Sequence, residues 1–237
     1  MVKIEENHHN KIIEQDMKEQ TIIQLQDIKL GSSVKESYKT LRTNLLYTEA
    51  TKTIAITSTL PNEGKSVTAY HLAVSFASAG KKTLLIDCDL RKSKLYRYLH
   101  VSRELPGLSE YLSRQMGMNI YQTTFPDLFL MFSGKIPPNP TELLSNELFE
   151  LMLYKWKEEF DYVILDTPPV NSAVDASIVG RYVDGIVYVV RSDYVKRKFV
   201  EKSKKMIQRN GGHIVGVVLN RLDQYHANYY GYYGETE

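Results

Sequence analysis

The chain has 237 residues, 43% hydrophobic and 24% charged, which is enough apolar material for one sizeable core. Thirty Lys and Arg against 28 Asp and Glu give a formal net charge of +2, too balanced to argue for nucleic-acid binding. No apolar run approaches the roughly 18 residues of a membrane span, the polar N-terminus does not read as a signal peptide, and the single cysteine, Cys88, fits a reducing cytosol.

Residues 1–30 are polar and charged and read as a flexible arm with some helix. A helix is expected over residues 33–50, where Val34, Tyr38, Leu41, Leu45 and Leu46 fall near helical spacing. Strand-length apolar runs then recur between helical stretches: TIAITS at 53–58, KTLLID at 82–87, LFLMF at 128–132, DYVILD at 161–166, GIVYVVR at 185–191 and HIVGVVLN at 213–220. Continuous rather than alternating apolar runs predict strands buried on both faces. The expected fold class is therefore α/β, a mostly parallel sheet with helices on both faces. One domain over residues 31–222 is expected, followed by a tail over 223–237. Ligands of such sheets sit beyond the carboxyl ends of the strands, so polar residues at those ends are the candidates for chemistry.

The first strand runs into TSTLPNEGKS, Thr57 to Ser66, and a helical stretch follows. A phosphate-binding loop, G-x-x-x-x-G-K-[ST], needs a glycine where backbone N–H groups converge. It also needs a lysine for the phosphate oxygens and a hydroxyl for Mg²⁺. Gly64, Lys65 and Ser66 supply these, whereas Thr59 stands where the first glycine belongs, and Pro61-Asn62 is itself a turn-former. The bland alternative is a strand–turn–helix with a chance G-K-S. LLIDCDLRK puts Asp87 and Asp89 at the end of the second run, and YVILDTPP puts Asp166 at the end of the fourth. A carboxylate there can hold Mg²⁺ directly or through water, or accept a proton from a nucleophile. Each alone is as readily a turn or cap residue, but three beside a G-K-S loop make coincidence a poor account.

The tail is biased. Of 17 tyrosines, five (Tyr225, Tyr229, Tyr230, Tyr232 and Tyr233) lie in the last 13 residues, where an even spread gives about one. With two glycines and no aliphatic residue larger than alanine, a mobile segment is expected there, either a substrate or a sticky aromatic tail.

Together TLPNEGKS, LLIDCDLRK, YVILDTPP and the tyrosine tail resemble the bacterial tyrosine kinases of capsule and exopolysaccharide synthesis, in their Gram-positive cytosolic-subunit form, from about residue 30 onward. The resemblance implies a P-loop NTPase-like fold and an ATP- and Mg²⁺-dependent protein-tyrosine kinase. In that family a first loop position other than glycine is common, so Thr59 does not argue against the site. The loop Thr59, Pro61, Asn62, Glu63, Gly64, Lys65, Ser66 and Val67 would bind nucleotide, with Asn220 and Arg221 near adenine. Ser66, Asp89 and Asp166 would hold the metal. Lys65 would hold the phosphates, and Asp87 would be the base for the incoming tyrosine hydroxyl. The tail tyrosines would be autophosphorylated. ESYKTLR resembles an E-x-x-R-x-x-R oligomerisation motif, with Glu36 and Arg42 in place and Lys39 replacing the first arginine, which keeps charge but loses the planar fork. PPNPTELL matches the family's N-P-x-E-L-L segment, where Pro140-Thr141 opens a helix. The implied partners are further copies in a ring, a transmembrane activator (the polysaccharide co-polymerase subunit) that recruits a cytoplasmic chain to the inner face of the plasma membrane, and a cognate tyrosine phosphatase.

Two other classes compete. Partition- or division-site ATPases share the broad fold but carry a signature lysine five residues before the loop lysine, where this chain has Leu60. A nucleotide-binding scaffold without activity is opposed by Lys65, Asp87, Asp89 and Asp166 all being present.

Overall fold

The computed structural model describes residues 21–26, 28–48, 51–101 and 105–222. The tail tyrosines and most of the expected N-terminal arm lie outside these residues. Helix α1, Ser32–Leu46, leads into strand β1, Thr53–Ser58, and helix α2, Lys65–Ala77. Next come β2 (Thr83–Asp87), α3 (Leu95–Tyr98), α4 (Leu108–Leu112), β3 (Tyr121–Gln122) and β4 (Leu128–Met131). Helices α5 (Pro140–Leu144) and α6 (Glu147–Glu159) precede β5 (Tyr162–Asp166) and α7 (Asp175–Val179). The chain then forms β6 (Gly185–Arg191), α8 (Arg197–Arg209) and β7 (Ile214–Asn220).

All six expected strands form, in one sheet of order β3-β4-β2-β5-β1-β6-β7. Every pairing is parallel except β3 with β4. Strands β1 and β2 are buried at every position, because helices cover both faces. One face packs against α1, α2 and α3 through Leu45, Leu72, Phe76 and Leu95; the other packs against α4 to α8 through Leu112, Leu144, Trp156, Val179 and Ile207.

The two-residue β3 escaped the sequence reading, since Tyr121-Gln122 is too short to show a period. Two expectations need correction. The helix at 33–50 ends at Leu46, and Val34 and Leu46 are exposed, so the inward stripe of α1 narrows to Tyr38, Leu41 and Leu45. The arm expected over 1–30 is not free throughout. Ile23 is buried, bridges to Thr123, and its N–H donates to Gln122 O at 2.8 Å.

The register matters most for function. In β2 and β5, Asp87 stands directly beside Asp166, and in β1 Ile56 pairs with Asp166. The sheet therefore brings the ends of β1, β2 and β5 level.

Candidate active site

The loop after β1 is shaped by its own side chains. Gly64 has φ 97°, a left-handed conformation that glycine takes without strain, and a Cβ there would meet the Asn220 side-chain nitrogen at 2.1 Å. The Asn220 amide donates to Glu63 O at 2.8 Å, tying the end of β7 to the loop. Glu63 is fully buried, and its carboxylate accepts from Leu60 N at 2.6 Å and from Arg191 N at 3.0 Å. Thr59 is buried too, and its hydroxyl lies 2.8 Å from the Tyr188 hydroxyl. The residue that breaks the strict loop pattern thus anchors the loop to β6. Pro61 and Asn62 form the exposed tip, where Lys94 Nζ donates to Asn62 Oδ1 at 2.6 Å.

Behind the loop, α2 begins at Lys65, so its first backbone N–H groups and the positive end of its dipole face the sheet's carboxyl edge. Ser66 and the half-buried Val67 lie in its first turn. Lys65 Nζ is buried 3.3 Å from Asp89 Oδ2, 3.4 Å from Asp166 Oδ1 and 3.3 Å from Ser66 Oγ. Asp87 accepts from Asp89 N at 3.1 Å and takes a short bond from the Ser93 hydroxyl. Lys65, Ser66, Asp87, Asp89 and Asp166 are therefore brought together from three separate stretches of sequence.

Three buried carboxylates face one ammonium, and the imbalance governs their protonation. Burial, reinforced by Asp166, pushes the Asp87 carboxyl up; burial also raises Asp166, with Lys65 opposing it. For Lys65, burial works to lower the pKa, but Asp166, Asp89 and Asp87 outweigh it and the net direction is up. A divalent cation fits this surplus. Asp166 Oδ2 is buried with no hydrogen-bond partner, which is a lone pair left for a metal or its water. Among the described residues no three His, Cys, Asp or Glu side chains form a closed metal cage. Mg²⁺ would need only one or two of these carboxylates, sharing the ion with waters and substrate phosphates.

The other predicted residues fall elsewhere. Asn220 and Arg221 lie at the end of β7, where Asn220 braces the loop rather than standing free. Glu36 and Lys39 are exposed on α1 and pair with each other at 2.6 Å. Arg42 turns inward instead, donating to Ser75 O at 2.5 Å on α2. A latch that sequence reasoning missed joins three segments. Arg91 pairs with the fully buried Asp175 at 2.7 Å, and Thr141 bonds both, at 2.7 Å to each. The only sequence signal was Thr141 within NPTELL and Arg91 four residues after Asp87. A cavity of about 520 Å³ lined by Thr53, Leu151, Tyr154 and Lys157 opens at the amino ends of the strands, away from these carboxylates.

The family model described as ParA, NUBPL iron-transfer P-loop NTPase, matches residues 49–227. Tyrosine-protein kinase CpsD of Streptococcus agalactiae is 40% identical over 224 residues, spanning 92% of this chain and 98% of that one. The chain belongs to the bacterial tyrosine kinase family. Two solved structures agree with that membership. The chimerical protein CapA2B2 superposes with a TM-score of 0.79 at 33% identity, covering 90% of this kinase and 99% of its own chain. The kinase domain of Escherichia coli tyrosine kinase ETK gives 0.73 at 32% identity, covering 81% and 78%. This kinase is thus a protein-tyrosine kinase on a P-loop NTPase scaffold. Among its described residues no helix is long and apolar enough to cross a membrane.

Proposed function

We propose that the chain transfers phosphate from ATP to its own C-terminal tyrosines, Tyr225, Tyr229, Tyr230, Tyr232 and Tyr233, between subunits, and thereby regulates capsular or exopolysaccharide synthesis and export. The observation that carries this reading is the cluster of Lys65 with Asp87, Asp89 and Asp166 at the carboxyl ends of adjoining strands. In phosphoryl transfer the protein positions groups and neutralises charge. The N–H groups around Gly64 and the start of α2 cradle phosphate oxygens, and Lys65 exchanges its carboxylate partners for them. Ser66, Asp89 and Asp166 would hold Mg²⁺, which when bound would neutralise charge on the phosphates. Asp87, level with Asp166 in the sheet, is the acceptor for the proton of the tyrosine hydroxyl when ionised, a state that a bound cation would favour. Asn220 and Arg221 border the adenine side.

Glu36 and Lys39, exposed on α1, are proposed to meet a neighbouring copy in a ring, with Arg42 setting the pose of α1 on α2. The solved relative CapA2B2 is a chimera, which supports a kinase that works joined to a second chain, here a transmembrane activator that brings it to the inner membrane face. A cognate phosphatase would reset the tail. The test mixes Lys65→Met, which keeps its tail but has no activity, with an active chain truncated before Tyr225. Phosphotyrosine on the Lys65→Met tail, reduced when Glu36 and Arg42 are both replaced by alanine, is the expected result. An unlabelled tail, beside full-length enzyme that labels itself at a rate independent of concentration, overturns transfer between chains.

A further inference from the structure

Helix α8 has a cationic face with no ion pairs among the described residues, although Lys198 Nζ lies 5.3 Å from the centre of the Phe199 ring. From Lys196 to Arg209 the sequence holds seven basic residues and one acidic, Glu201, in a chain that is otherwise nearly balanced. Its apolar side is already used: Ser203 and Ile207 are buried, and Val200 and Met206 pack on the core. Lys198, Lys202, Lys205 and Arg209, spaced 4, 3 and 4 residues apart, form one exposed stripe, with Arg197 and Lys204 beside it. Among the described residues the ion pairs involve none of these side chains.

The end of the described chain lies close by. In the β6–β7 register Arg191 pairs with Asn220, and Ser192 N donates to Asn220 O at 2.9 Å, so the described chain ends beside the turn that leads into α8. We propose that the stripe on α8 is the docking site for the phosphorylated form of residues 223–237. This rests on the tail being a substrate. Each phosphotyrosine carries about −1.5 to −2 charges, so five bring roughly −7.5 to −10. The stripe spans about 16 Å at ~1.5 Å per residue. Fifteen extended residues reach about 50 Å, so the tail can lie along it. Tethering raises its local concentration further. Once phosphorylated, the tail is repelled by the carboxylate-lined site and held outside it. A membrane is the less favoured occupant, because the outward face of α8 offers only Phe199 as an apolar anchor.

The test uses the full-length chain, dephosphorylated and without nucleotide, and a labelled synthetic peptide of residues 223–237 phosphorylated on its five tyrosines, read by fluorescence anisotropy. The phosphopeptide is expected to bind at least about ten-fold tighter than the unphosphorylated one, less tightly as salt rises. Replacing Lys198, Lys202, Lys205 and Arg209 together by serine should weaken it about ten-fold or more, whereas arginine at the three lysine positions should retain it. Binding that survives the serine substitutions overturns the proposal, as does equal binding of both peptides. So does binding of phosphatidylglycerol vesicles through the same four residues without binding of the phosphopeptide. Because the peptide is made by synthesis, a chain that never labels its own tail leaves this measurement intact. Failure of the kinase reading appears separately, in phosphotyrosine detection.

Discussion

Replacing Lys65 by methionine tests the charge arrangement of the site as well as its activity. The substitution keeps length and removes the ammonium that lies 3.3 Å from Asp89 and 3.4 Å from Asp166. Removing one partner of a buried ion pair costs about 3–5 kcal/mol, because the remaining charge stays buried without compensation. A domain of this size has about 5–15 kcal/mol of stability, so Lys65→Met should fold at neutral pH. Its Tm should fall by roughly 6–20 °C, at about 2–4 °C per kcal/mol. The pH dependence identifies the cause. Lys65 holds down carboxylates that burial has already raised, so without it their folded-state pKa values climb further above the unfolded ~3.9. A raised carboxylate destabilises the fold above its unfolded pKa, and that penalty disappears as pH falls through the folded value. The gap between wild type and Lys65→Met should therefore close toward about pH 4 and widen as pH rises to the folded values, about 8 for Asp87. Urea unfolding across this range measures it, while phosphotyrosine formation with ATP and Mg²⁺ should drop at least ~10²-fold. A gap that does not grow between about pH 4 and about pH 8 refutes the electrostatic account of the cluster.

Thr59→Gly restores the strict loop pattern but removes the bond to Tyr188. It should keep nucleotide binding by calorimetry while losing about 1–2 kcal/mol in denaturant midpoint. Gly64→Ala forces a side chain into a left-handed position against Asn220, so nucleotide affinity and about 1–3 kcal/mol of stability should both fall. His71 is buried, with Nε2 2.7 Å from the Tyr98 hydroxyl, and burial lowers its pKa to about 4. Its neutral form supports the fold above the unfolded value of about 6.5, and up to about 3 kcal/mol is lost as pH falls from there to about 4. His71→Gln should flatten that part of the stability profile, measured as wild-type minus mutant unfolding free energy.

The sequence alone determined the fold class, because short, β-branched, continuous apolar runs such as TIAITS and GIVYVVR, separated by helical stretches, read as strands covered on both faces. It also singled out Gly64, Lys65 and Ser66 as the loop proposed to bind phosphate, since recognition by backbone N–H groups is a local property of one loop and one helix start. Strand order and register are not local. That Asp87 stands beside Asp166, and that Lys65 reaches both Asp166 and Asp89, follows from β5 inserting between β2 and β1. The same holds for Thr59, which looked like a missing glycine until β6 brought Tyr188 to its hydroxyl. Glu63 and Asn220 read as nucleotide contacts, and the folded chain uses both as braces between the loop and the ends of β6 and β7. Arg91, Thr141 and Asp175 gave no joint signal, because an ion pair between residues 84 positions apart leaves no periodicity in the chain. Local backbone chemistry is written in contiguous residues; partnerships between distant side chains exist only once the sheet has set which strand ends meet.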